Sequence, residues 1–495
     1  MSLEETEINE ALAEIQRDPL AALDRLPPKQ HLRGAAAPAL FSADDVAQGR
    51  HIEGRDLLRQ RHTMLDNGVV IRLAEVLPGR APYEQHDRAE NLVDRLEHRD
   101  LRAMEAAGLR ESSLDESPWS DDYWGIYRGV LGCRYADPRF PSDADWAKNH
   151  AYVRDRPALE IAATGDLDAI DRLAPAEKYD LLVGDPQGTL TARMWQEGRA
   201  YYERDGKVER WMGICHGWAP AAYMLPRPRR AVTALAADGH TRLRFYPSDI
   251  KGLASLLWAN TSAVSRFIGG RCNDKDPARD EIGRMSSSRC FDTNPGTWHL
   301  AIVNQIGVAR RSFVLDATFD YEVWNQPAHA YSYRTFNPLE YRYASDLSRA
   351  IVPIDQFPPE RDRFRRYRGA NVAAIVGVVM EVDYVVETAP SHDTEDDPSR
   401  DGITRVRYIY DLELDPAGAI LGGEWYQNRH PDFLWTPPPG ARARTAADAY
   451  ATGDWLEGQV IPGTWRSAAL RAAEAYGGAA PLARIVERLI ELARA

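Results

Sequence analysis

A cysteine does covalent chemistry when its thiolate can form, when a proton acceptor lies near it, and when a third group orients that acceptor. Cys215, in Trp211-Met-Gly-Ile-Cys-His-Gly-Trp-Ala-Pro220, is placed for the first of these. It opens a helix-compatible segment, where free N–H groups and the helix dipole favour a thiolate and offer an oxyanion site. Gly213 and Gly217 flank it and let a substrate approach the backbone closely. His299 and Asp316 are the partners the spacing offers. Trp298-His-Leu-Ala-Ile-Val-Asn304 and Ser312-Phe-Val-Leu-Asp316 read as two strands separated by a turn near Gly307. Paired antiparallel, they bring His299 beside Asp316, where a carboxylate can fix the imidazole tautomer. Asp320 and Asp292 are alternative orienting carboxylates, because strand register is uncertain by a residue or two. His216 is a poor base, since adjacent helical residues point apart. Each member of the set also has an ordinary structural reading: a buried thiol, a hydrogen-bonded histidine, a turn aspartate.

The elements that must position these residues change period along the chain. Residues 4 to 26 carry apolar residues at helical spacing, interrupted at Pro19 and stopped by Pro27-Pro28. Residues 84 to 108 are charged and helical in pattern, and Ser117 to Gly129 reads as an aromatic helix after a start signal. Cys215 to Met224 and Asp249 to Asn260 follow as helices. Strand-like runs then span Ala373 to Glu387, Val406 to Leu414 and Ile420 to Tyr426. The acidic loop His392 to Pro398 and the turn Pro416-Ala-Gly418 separate them, so an antiparallel meander is expected. Pro437-Pro-Pro-Gly440 marks a boundary, and the last segment is helical, with Leu482, Ile485, Val486 and Leu489 on one stripe. The class implied is α+β.

Length and composition bound the rest. The 495 residues, 44% hydrophobic and 27% charged, are those of an ordinary soluble globular chain, with two to four domains expected. A net charge of -13 argues against a general nucleic-acid binder, which must neutralise phosphates. The basic runs Arg227 to Arg230 and Arg361 to Arg368 are short and read as solvated faces. No run has the apolar length of a membrane span. Met1-Ser-Leu-Glu-Glu lacks the blocks of a signal peptide, which leaves open a cytoplasmic protein or a secreted or periplasmic one whose signal was removed. The four cysteines, Cys133, Cys215, Cys272 and Cys290, fit no zinc spacing, so no metal site is assigned. Cys272 and Cys290 could bridge as a disulfide if the protein is exported. Between them, Asn273 to Asp276 and Asp280-Glu281 are oxygen-rich, which makes calcium a candidate cofactor. The spacing is not that of an EF-hand, and a solvated loop is the better reading.

Several motifs in order carry a resemblance. They are Ser117-Pro-Trp-Ser-Asp-Asp-Tyr-Trp124, Ala176-Glu-Lys-Tyr-Asp-Leu-Leu-Val-Gly-Asp185, the Cys215 segment itself, and Phe267-Ile-Gly-Gly-Arg-Cys-Asn273. Further on are Asn294-Pro-Gly-Thr-Trp-His-Leu-Ala301, Ser312 to Thr318, Glu322-Val-Trp-Asn-Gln-Pro327, Gly422-Gly-Glu-Trp-Tyr426 and His430-Pro-Asp-Phe-Leu-Trp435. With these, roughly residues 80 to 440 resemble the transglutaminase elicitor family of oomycete cell-wall proteins and their bacterial relatives. The resemblance implies a papain-like or transglutaminase-like core. Its divisions are a helical extension (1–79), a helical subdomain (80–175), a catalytic core with an antiparallel sheet (176–440) and a C-terminal helical extension (441–495). It implies that Cys215 attacks a protein glutamine, that ammonia leaves a thioester, and that a lysine or polyamine then forms an isopeptide bond. His299 would be base and acid, with Asp316 orienting it. Trp211, Trp218 and Trp298 would wall the acyl channel, and Asn304 would hydrogen-bond near His299. Water in place of the amine would make the same triad a glutamine deamidase or a cysteine protease. A non-catalytic surface recognition or elicitor protein is the third expectation. The family's perceived surface peptide begins at Val323-Trp-Asn-Gln-Pro327, and this chain departs after it with Ala328-His-Ala-Tyr-Ser332.

Overall fold

The computed structural model describes residues 4–34, 87–261, 263–270, 278–286, 293–317, 323–475 and 479–494. Its helices are α1 (Glu5–Arg17), α2 (Pro19–Asp24), α3 (Leu101–Ala106), α4 (Trp146–Arg154), α5 (Ala158–Ala163), α6 (Leu167–Asp171) and α7 (Pro175–Val183). They continue as α8 (Thr189–Asp205), α9 (Cys215–Met224), α10 (Pro247–Ala259), α11 (Pro295–Ile302), α12 (Leu347–Ala350), α13 (Gly463–Glu474) and α14 (Ala483–Ala493). The strands are β1 (Lys29–Arg33), β2 (Glu111–Ser113), β3 (Val232–Leu235), β4 (Arg242–Phe245), β5 (Arg266–Gly269), β6 (Val314–Asp316) and β7 (Asn325–Asn337). After them come β8 (Arg342–Tyr343), β9 (Ile351–Pro353), β10 (Ala374–Val386), β11 (Gly402–Leu414), β12 (Ile420–Trp425) and β13 (Phe433–Thr436).

One antiparallel sheet runs in the order β1-β11-β10-β7-β6-β13-β5, with β12 on β11, β2 and β8 on β7, and β9 on β10. The meander expected after residue 373 is therefore present as β10, β11 and β12. Strand β10 is buried on both faces because both are covered, and Glu381 and Asp383, its two charged residues, are paired with Arg407 and Arg405 of β11. Val376, Val378, Met380 and Val382 share a core with Trp298 of α11. Val379, on the other face, meets Ile8, Leu12 and Ile15 of α1. A second core, largely helical, joins α7 to α10 with α13 and α14 and includes Cys215. The side chain of Trp324 packs against both cores.

Two local expectations are corrected. Trp298 to Asn304 is not a strand: it lies in α11 and the π-helical turn Val303–Val308. Asn294 caps α11 by accepting from the Gly296 N–H at 2.8 Å, and Pro295 fills the first turn. Every residue from Pro295 to Ile302 is buried, so no polar face betrays the helical period. Ser117 to Gly129 is not a continuous helix either; only Ile126–Arg128 forms a single 3-10 turn there. Side chains displace the helical pattern. The Asp121 carboxylate accepts from the Trp124 indole at 2.8 Å, and Trp124 itself takes a φ of 51°. Of residues 84 to 108, the described part holds the short turn Ala89–Asn91 and α3 rather than one helix.

Candidate active site

The segment before Cys215 is fixed by backbone contacts. The Ile214 N–H donates to the Tyr123 carbonyl at 2.8 Å, and a Cβ on Gly213 would sit 2.4 Å from that same oxygen. Helix α9 then starts at Cys215, with the Gly217 and Trp218 N–H groups donating to the Ile214 carbonyl at 2.9 and 3.1 Å. The sequence reading of a cysteine at a helix start thus matches the secondary structure. Cys215 is 4% exposed.

The groups that touch its sulfur come from the far side of the chain. The thiol donates to the Val323 carbonyl at 3.7 Å. The Asn325 Nδ2 donates to Sγ at 3.6 Å, and the Asn325 Oδ1 accepts from the Trp435 Nε1 at 2.8 Å. Next along β7, the Gln326 Nε2 donates to the Glu387 carboxylate at 2.7 Å. Burial pushes the Cys215 thiol up to about 11. The backbone and side-chain N–H groups of Asn325 pull it down, and the charges of Glu387 and Asp316 push it further up. Burial also raises Glu387 to about 7, against the Gln326 hydrogen bond.

The structure does not join the expected triad by hydrogen bonds. Asp316 ends β6, fully buried, and accepts from the Trp324 N–H at 3.0 Å. Its charge acts on Cys215 through space. His299, on a helix instead of a neighbouring strand, shares a hydrogen bond between Nδ1 and the Tyr410 hydroxyl at 2.8 Å. Among the described residues its Nε2 has no hydrogen-bond partner, and neither ring nitrogen bonds Cys215 or Asp316. Burial pulls its pKa down to about 3, which keeps it neutral. His216 is likewise held neutral, near 4, by burial. Asp320 and Asp292 lie outside the described residues.

The four residues expected near the channel divide between the two cores. Trp218 is fully buried and donates to the Trp119 carbonyl at 3.0 Å, and Trp211 is half-buried against the same helical core. Trp298 packs edge-on to Tyr408 and Trp425 in the sheet core. Asn304 uses its side chain to hold the Glu97–His98 backbone, accepting from both N–H groups at 3.0 Å and donating to the His98 carbonyl at 2.9 Å. Asn325, Gln326, Glu387 and Trp435 take the places around the sulfur. The runs that contain Asn325 and Trp435 already stand out as motifs in the sequence. Only the pairing of β7 with β6 and of β13 with β6 brings them to Cys215.

Among the described residues, no group of three or more His, Cys, Asp or Glu is arranged to hold a metal. Of the calcium candidates, Asp280 is engaged by Arg366 and by the Ile282 and Arg284 N–H groups, so its oxygens do not fit a cation site. Glu281 is an exposed partner of Arg366. Asn273 to Asp276, Cys272 and Cys290 lie outside the described residues. Cys133 is a buried free thiol, raised to about 12 by burial. Among the described residues, no helix is long and apolar enough to cross a membrane.

The charge on Glu387 gives a signed prediction. Glu387→Gln removes a negative charge that opposes thiolate formation, so the Cys215 thiol falls and alkylation by iodoacetamide at pH 8 speeds up several-fold. Below about pH 6, Glu387 is itself protonated, and the two proteins converge. Peptide mapping of the Cys215 fragment against pH reads this; a slower variant at pH 8 would refute it.

A mixed helical and antiparallel-sheet chain with a cysteine at the start of a buried helix is thus the class that fold and site define. The family profile described as transglutaminase elicitor matches residues 95–450, and the chain belongs to that family. The chain is also similar to the GP42 transglutaminase from Phytophthora sojae, known as a crystal structure, at 20% identity and a TM-score of 0.48 over 78% of this chain and 91% of that one. No curated protein matches it.

Proposed function

We propose that this protein is a protein-glutamine acyltransferase in which Cys215 is the nucleophile. Its sulfur attacks a glutamine carboxamide, ammonia leaves, and an amine resolves the thioester. The observation that carries this reading is the position of Cys215: first residue of α9, inside the span of the family match, with the Asn325 side-chain N–H directed at its sulfur. A helix start and a directed N–H donor both favour a buried thiolate.

In this proposal Asp316 and Glu387 set the charge around the sulfur. His299 takes the base role only in a state in which its ring has left the Tyr410 hydroxyl and reached Cys215. The proton that ammonia carries away is the one the thiol gives up.

Incubation with a glutamine peptide and a labelled primary amine tests the reaction. Amine incorporation with stoichiometric ammonia release is the expected result. Ammonia without incorporation would replace transfer by deamidation. Neither product, from folded protein, would leave the recognition reading in its place. For that reading, Asn325 to Ala328 are buried in β7 and do not face solvent in this structure.

A further inference from the structure

The hydrogen bonds around Asn325 have only one consistent arrangement. An indole nitrogen is a donor and never an acceptor. The Trp435 Nε1 lies 2.8 Å from the Asn325 carboxamide, so the atom facing it must be the carbonyl oxygen. The amide nitrogen is then forced to the other side, where it lies 3.6 Å from the Cys215 Sγ. A flipped carboxamide would set its oxygen lone pairs against the sulfur and its NH2 donor against the indole N–H, leaving that N–H without an acceptor. The same residue lowers the Cys215 thiol against the upward push of burial. Asn325 thus directs its amide N–H at the sulfur, and it is 3% exposed, so water competes little for that donor. In a buried site such preoriented donors count for more than in water.

We propose that Asn325 is a catalytic residue, supplying the side-chain N–H donor that stabilises the Cys215 thiolate as it forms, and that Trp435 is a positioning residue that locks the carboxamide in the donating orientation. This deepens the Cys215 reading and rests on it. The step it serves balances as follows. The thiol gives up its proton. The sulfur forms a bond to the glutamine carbonyl carbon, the carbon–nitrogen bond breaks, and nitrogen departs as ammonia with that proton. Asn325 acts before the bond forms, by raising the share of sulfur present as thiolate.

The test is the alkylation rate of Cys215 in the full-length protein between pH 6 and 10, followed by peptide mapping, with turnover measured in parallel. Far below the thiol pKa, the thiolate fraction, and with it the alkylation rate, changes in proportion to the acidity constant of the thiol. Asn325→Asp exchanges the donor for a carboxylate that Trp435 can still bind, and alkylation at pH 8 should slow at least tenfold. Trp435→Phe keeps an aromatic ring but frees the carboxamide to flip; alkylation should slow several-fold, with kcat falling and KM held. A purely structural Trp435 would move the melting temperature and leave the pH profile in place. Unchanged profiles in either folded variant would overturn the proposal while leaving Cys215 the nucleophile. If Cys215→Ala keeps full turnover, both readings fall together. Should Asn325→Asp not fold, Trp435→Phe decides alone.

Discussion

On the proposed mechanism, Cys215→Ala is expected to abolish amine incorporation into a glutamine peptide, a loss on the order of 10^4-fold or more, because the atom that would form the covalent intermediate is removed. The size follows from the mechanism. Without a nucleophile, water or the amine must attack the carboxamide directly, and the site retains only binding and its remaining N–H donors. Stability moves far less. The side chain loses one sulfur atom from a buried position, a change that costs about 1–2 kcal/mol through lost contacts and a small cavity. A melting curve close to the wild type beside a dead assay is therefore the expected pair of results. Cys215→Ser preserves the shape and is expected to be inactive too. Full turnover in a folded Cys215→Ala would refute the nucleophile.

The second large effect is on folding. Gly217 lies where α9 crosses α10. A Cβ there would sit 2.1 Å from the Ser255 carbonyl oxygen, 2.6 Å from the Ala259 Cβ and 2.7 Å from its backbone nitrogen. Two of those atoms are main chain of α10, so no rotamer can relieve the clash and the helices must separate. Alanine is worth about 1 kcal/mol over glycine inside a helix. Overpacking of this kind costs about 3 kcal/mol or more, and so decides the sign. Gly217→Ala should lower the denaturation midpoint markedly and, by moving α9, reduce turnover as well. Gly463→Ala at the start of α13 is the control, since nothing lies within 4 Å of its Cβ position. It should be neutral or slightly stabilising. Equal midpoints for the two variants would show that the α9–α10 contact is not tight.

The sequence marks Cys215 well because its neighbourhood is punctuated: glycines at 213 and 217 and a helix-compatible run behind it. The meander of β10, β11 and β12 is legible for a similar reason, since turns and an acidic loop separate apolar runs. The His299 region fails for the opposite reason. Pro295 to Ile302 is buried on every side, and an apolar run of eight residues has no period to tell a helix from a strand. With the helix misread, the pairing of His299 with Asp316 goes too. The aromatic segment from Ser117 fails because the Asp122 side chain takes the Trp124 N–H that a helix would have used internally, while Asp121 and Ser120 tie the segment to the Trp124 indole and the Val386 carbonyl. The true neighbours of the sulfur are set by long-range strand pairing. Asn325 is 110 residues from Cys215, and nothing local to either residue signals the contact.

The cover over Cys215 also bears on how long the protein lasts. Peroxide attacks thiolates that solvent can reach, and converts them through sulfenic acid to irreversible acids. A cysteine that is 4% exposed, with its thiol raised to about 11 by burial, offers a peroxide little charge and little access. Oxidative inactivation of the resting protein should then be slow and limited by opening of the site. On the proposed mechanism, a protein caught in turnover, with its sulfur charged, would carry most of the hazard.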